Sequence, residues 1–163
     1  MKKNNHFAII ITAKKYNNIL RRTLKAIYKQ TILPQQLIIV LAETGKIIIP
    51  KNIKSRVVYS KIKNQVHQRT IGLKFLDKKI KIILQLDDKI ILEKNSIKFL
   101  LEEWENTDNN IAGIALNPKN YVRPKTNFFH YLTLTNSNID GKILPSGFAN
   151  GWSEIKKTEK WIG

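Results

Sequence analysis

The chain has 163 residues, 42% of them hydrophobic, and a formal charge of +17 from 29 Lys and Arg against 12 Asp and Glu. That length is enough for a buried core, and that apolar fraction excludes a disordered chain. Cysteine is absent and the three histidines (His6, His67, His130) are scattered, which excludes disulfides, thiolate metal sites and a zinc spacing.

The first element is Phe7–Thr12, FAIIIT, a continuous apolar run that predicts a strand buried on both faces. Thr12 and then Lys14 and Lys15 interrupt it too early for a signal peptide, so a cytoplasmic location is expected. Asn17 or Asn18 is placed to cap a helix on which Leu20, Leu24, Ile27 and Tyr28 form one apolar face. Pro34 closes the connection to a second strand, Leu37–Ala42. Val57–Ser60 predicts a short third strand. Residues 65–76 predict a helix with Val66, Leu73 and Leu76 on its apolar side. Gly72 inside it costs about 1 kcal/mol against alanine, so a close-packing reason is expected. Lys81–Leu86 predicts a fourth strand that runs into Asp87, Asp88 and Lys89. Asn95 or Ser96 is expected to cap a helix carrying Ile97, Leu100, Leu101 and Trp104. Ile111–Leu116 predicts a fifth strand, and 117–163 reads as an irregular extension.

This order predicts one α/β domain over 1–163, a Rossmann-like, mixed but mainly parallel sheet with flanking helices. Such sheets bind ligands beyond the carboxyl ends of their strands, where strand order reverses. Thr12–Tyr16 and Asp87–Lys89 are polar clusters at two such ends. If the first and fourth strands are neighbours, both clusters face one crevice.

Asp87 and Asp88 carry the chemical signal. Hard cations such as Mg²⁺ are commonly held by one or two carboxylates plus substrate phosphates. A solvated Asp-Asp turn is the alternative reading of the same residues. Trp104 reads as core, and His130 as a structural histidine. Trp152 could equally pack or stack on a sugar.

Several segments in order resemble family 2 glycosyltransferases. IIITAKKYNNILRRTLKAIYKQTILPQQLIIV at 9–40 resembles the family's opening strand, loop, helix and second strand. VHQRTIGLKFL at 66–76 resembles its R-N-x-G helix, with Arg69, Thr70 and Gly72 in register. LQLDDKI at 84–90 resembles the hydrophobic strand ending in a D-x-D-type motif, and LPSGFANGW at 144–152 the stretch before the acceptor side. The resemblance implies a GT-A fold and a hexosyltransferase-type enzyme of glycan or polysaccharide biosynthesis. It further implies a nucleoside-diphosphate sugar donor, a glycan or lipid-linked acceptor, and Mg²⁺ or Mn²⁺. It places Thr12, Ala13 and Lys15 in the nucleotide loop and Arg69 near base and diphosphate. Asp87 and Asp88 match the motif that meets ribose and metal.

The pattern also departs from the family. Thr12-Ala13-Lys14-Lys15 replaces Pro-Thr-Tyr-Asn, and Leu41-Ala42 replaces an acidic pair, leaving Glu43 as the acidic residue for the nucleoside. Lys89 stands at the motif's third aspartate, where it is a point charge able to neutralise phosphate. No residue matches the catalytic base. The chain ends about where the acceptor-side loop begins, so the expectation is a domain incomplete at its C-terminus.

The charge fits a polyanionic partner. It fits codon bias better, because the 24 Lys, 26 Ile and 16 Asn share AT-rich codons and the lysines are dispersed. Weak association with the anionic inner face of a membrane is the expected by-product. With no nucleic-acid-binding motif, no specific nucleic-acid partner is expected.

Overall fold

The computed structural model describes residues 6–49, 52–108 and 111–114. Contacts divide the chain into Met1–Ile114 and Ala115–Gly163, and all described residues belong to the first unit. Its elements are β1 (Phe7–Ala13), α1 (Asn18–Tyr28), β2 (Gln36–Leu41), β3 (Lys54–Tyr59), α2 (Gln65–Leu73), β4 (Ile82–Asp87) and α3 (Ser96–Glu105). The expected extension over 117–163, with His130, Trp152 and the LPSGFANGW stretch, lies outside the described residues.

The four strands form one parallel sheet in the order β3-β2-β1-β4. This is the expected α/β architecture, with β1 central and beside β4. Strands β1 and β2 are buried at every position. Only β-branched and other apolar runs with few polar atoms tolerate cover on both faces. Strands β3 and β4 flank them and are only partly covered. From β1 the chain steps through β2 to β3 on one side, then returns to the other side as β4. Strand order therefore reverses between β1 and β4.

Asn17 caps α1, its side chain accepting from the Leu20 N–H at 2.9 Å. Leu20, Leu24 and Ile27 are buried as their spacing predicts, joined by Thr23, while Tyr28 is half-buried and its hydroxyl meets Ser55 Oγ at 3.2 Å. On α3, Ile97, Leu100 and Leu101 are buried and Trp104 is half-buried.

Helix α2 differs from expectation. Val66 is 70% exposed and Leu73 41%, while Gln68 and Gly72 are buried. The reason is at Gly72, where a Cβ would lie 2.7 Å from Ile10 Cγ2 and 3.3 Å from Val40 Cγ2. The helix backbone comes so near the sheet that its central contact must lack a side chain. Ile71, Phe75 and Leu76 then close around Ile10, Ile38 and Val40.

The expected fifth strand is not formed over residues 111–114, all of which are exposed. The Ile111 N–H instead bonds to the Asp108 carbonyl at 3.0 Å. An apolar run becomes a strand when a neighbouring strand and a covering layer bury it, and among the described residues these four have no such cover. Residues 115 and 116 lie outside the described residues.

Buried glutamines fasten the layers. Gln30 donates to the Glu93 carbonyl at 2.6 Å and accepts from the Ile97 N–H at 3.1 Å, joining the end of α1 to the start of α3. Gln36 donates to Phe75 O at 2.9 Å and accepts from Asp77 N–H at 3.0 Å, joining β2 to the segment after α2.

Candidate functional site

Parallel pairing of β1 with β4 sets Thr12 opposite Asp87, at the carboxyl ends and at the point where strand order reverses. Helix α2 packs over β1 and β2 and brings its own polar residues to that rim. It starts at Asn64, whose side chain accepts from His67 N–H at 3.0 Å. Gln65 and Arg69, one turn apart, both reach Asp87. Arg69 Nη2 donates to Asp87 Oδ1 at 2.8 Å, and Gln65 Nε2 donates to the same oxygen. Between them, buried Gln68 turns inward and donates to the carbonyls of Ala13 at 3.0 Å and Val40 at 3.3 Å. It thereby ties α2 to the ends of both central strands.

Thr12, Ala13, Arg69 and Asp87 are thus gathered at one place. Asp88 follows directly and is half-buried; its backbone carbonyl accepts from Thr23 Oγ1 at 2.6 Å, which anchors the turn to α1. Glu43 is nearby through the backbone, its N–H bonded to Lys14 O at 2.9 Å. Its carboxylate does not join the Arg69–Asp87 pair. It meets Lys63 Nζ at 3.3 Å and Lys14 Nζ at 3.7 Å. The Lys63 hydrogen bond, helped by the charges of Lys14 and Lys15, holds the Glu43 carboxyl below the usual glutamate range. Lys15 and Lys89 are exposed.

Two atoms at this site are left over. Thr12 Oγ1 and Arg69 Nε are buried and have no hydrogen-bond partner among the described residues. Buried polar atoms are nearly always paired, because each unpaired one costs about 1–3 kcal/mol. No other described side chain carries such an atom. Arg69 has a planar fork suited to two parallel bonds with a carboxylate or phosphate, and Asp87 occupies only one tine.

Asp87 and Asp88 fit a hard divalent cation as a partial ligand set. Both are carboxylates at a partly open strand end, the Asp87 side chain being 49% exposed. Among the described residues no group of three His, Cys, Asp or Glu converges. Such a cation would therefore draw its remaining oxygens from phosphate and water.

Gln65 and Gln68 were not expected here. Gln65 has a legible signal, since it precedes Arg69 by four residues and so shares its face. Gln68 has none, because an uncharged polar residue among polar neighbours reads as solvated.

No protein-family model matches the chain, and no curated protein matches it. Solved structures do. The crystal structure of S. aureus TarS 1-349 matches with a TM-score of 0.50 at 13% identity, over 67% of this chain and 38% of that one. The crystal structure of S. aureus TarS matches with a TM-score of 0.47 at 12% identity, over 67% and 23%. At 13% identity the likeness shows the fold alone: this chain shares the α/β fold of the TarS 1-349 structure. It spans well under half the length of either structure. Among the described residues no helix is long and apolar enough to cross a membrane.

Proposed function

We propose that the rim where β1, β4 and α2 meet binds a nucleoside diphosphate, as the donor site of a family 2-type glycosyltransferase. The observation that carries this reading is the pair of unsatisfied atoms, Thr12 Oγ1 and Arg69 Nε, at the point where strand order reverses. A diphosphate supplies acceptor oxygens to both. Arg69 would keep its bond to Asp87 and donate charge-assisted bonds to phosphate from the rest of its guanidinium, Nε included. Lys89 adds an exposed positive charge at the same turn.

In the proposed reaction an acceptor hydroxyl on a glycan or lipid-linked sugar attacks the anomeric carbon. The bond from that carbon to the diphosphate oxygen breaks, and configuration inverts. The residues here bind the leaving group and offset its growing charge, which lowers the barrier because that charge develops only in the transition state. Asp87 and Asp88 would hold Mg²⁺ or Mn²⁺, which when bound neutralises the departing diphosphate. The group that takes the acceptor's proton is assigned to no residue.

Calorimetric titration of UDP and GDP, with Mn²⁺ and with EDTA, tests the site. Binding is expected, with Arg69→Gln at least tenfold weaker and Asp88→Asn losing the metal-dependent part. A folded chain that binds neither nucleotide under either condition overturns the proposal.

A further inference from the structure

A second basic site lies on α1, away from the Arg69–Asp87 pair. Arg22, Lys25, Ala26 and Lys29 recur at the spacing of one helix face. With Ile91, Leu92 and Lys94 from the segment after β4 they line a groove of about 500 Å³. None of its four cations forms an ion pair among the described residues. Helix α1 contains no acidic residue to offset them. Glu93 is the one carboxylate in the 91–94 segment and does not line the groove.

The groove is held in shape. Segment 88–97 is fastened to α1 and the turn after it through Thr23 to Asp88 O, Gln30 to Glu93 O and Ile97 N, and the Thr31 N–H to Lys94 O at 3.2 Å. The groove's other lining residues, Ala26, Ile91 and Leu92, are apolar, and Ile91 is 51% exposed.

We infer that this groove is a docking site for an anionic phospholipid at a membrane surface. Four cations with no ion pair among the described residues fit a phosphate headgroup. An exposed isoleucine in the same lining gains nothing from a free phosphate, but it gains by entering the boundary between headgroup and acyl chain. The inference does not rest on nucleotide binding. Its consequence for the fold is orientation: Asp88 and Ile91–Lys94 share one short segment, so a lipid in the groove sets how the donor site faces the membrane.

The test is sedimentation of the full chain with phosphatidylcholine–phosphatidylglycerol vesicles against phosphatidylcholine alone. Because the whole chain is strongly basic, charge must be separated from place. Lys25, Lys29 and Lys94 changed together to Gln should weaken binding to the anionic vesicles by about a hundredfold, at roughly fivefold per cation. Lys61, Lys78 and Lys79 changed together to Gln remove the same charge from exposed positions elsewhere and should cost less than tenfold. Ile91→Ser should weaken binding further where salt has screened the charges. All variants alter exposed side chains, and unchanged thermal unfolding confirms that they fold. Equal losses in the two triple variants overturn the inference in favour of net charge alone. Release by millimolar inorganic phosphate at constant ionic strength overturns it in favour of a soluble phosphate. Indifference to Ile91→Ser removes the lipid from the reading.

Discussion

Replacing Gly72 by alanine sets two effects of opposite sign against each other. In an exposed helix the change stabilises by about 1 kcal/mol, through backbone entropy. Here the new Cβ falls 2.7 Å from Ile10 Cγ2 and 3.3 Å from Val40 Cγ2. Ile10 is 1% exposed on the central strand, and its Cγ2 is fixed to a β-branched carbon, so it cannot swing aside as a chain end could. Either Ile10 leaves its rotamer or α2 rises from the sheet. Overpacking of this kind costs about 1–3 kcal/mol, and lifting α2 also strains the Gln68 bonds to Ala13 and Val40. The net expectation is a loss of about 1 kcal/mol, seen as a fall in melting temperature of roughly 2–4 °C for a chain of this length. Thr70→Ala, on the exposed side of the same helix, should be neutral or slightly stabilising. Urea and thermal unfolding of both variants decide the matter. A Gly72→Ala chain as stable as Thr70→Ala would mean that the helix does not press on the sheet as described.

Gln68→Ala should destabilise the fold by about 1–3 kcal/mol in urea unfolding, since it strips a buried donor from two strand-end carbonyls. It should also weaken nucleotide binding, because Arg69 rides on the same turn. At Glu43 a carboxyl-carbon NMR titration should find a midpoint below the usual glutamate value, and Lys63→Gln should raise it. The sign follows from linkage: a depressed folded-state pKa contributes stability above the unfolded-state value, and that contribution is lost as pH falls through the folded-state value. A midpoint at or above the usual value would contradict the Lys63 bond.

Where a residue's role follows from its own neighbours in the chain, the sequence reveals it. Unbroken apolar runs mark β1 and β2 as central, and Asn17 marks the start of α1 by its capping chemistry. The Asp87–Asp88 turn at a strand's end marks the rim of the sheet. The close approach at Gly72 is also legible, because a glycine inside a helix needs a reason. Roles set by partners distant in sequence are hidden. Gln68 looks solvated until β1 and β2 are beneath it, and together with Gly72 it takes the buried side that spacing alone gives to Val66 and Leu73. Glu43 and Lys15 follow the carboxyl ends of β2 and β1, but Glu43 is drawn to Lys63 and Lys14 rather than to Arg69. Residues 111–114 have the composition of a strand but, among the described residues, no neighbours that make one.

The buried polar side chains of the described unit are Thr12, Thr23, Gln30, Gln36, Ser60, Gln68 and Ser96. All are hydroxyls or amides, and none gains or loses a proton in water. A chain carrying +17 has therefore excluded every ionisable group from the described interior and fastened its layers with neutral ones. Acid and alkali therefore act on this unit from its surface and margins, through pairs such as Glu43 with Lys63 and through the mutual repulsion of cations, a long-range force that dissolved salt weakens while leaving the amide fasteners untouched.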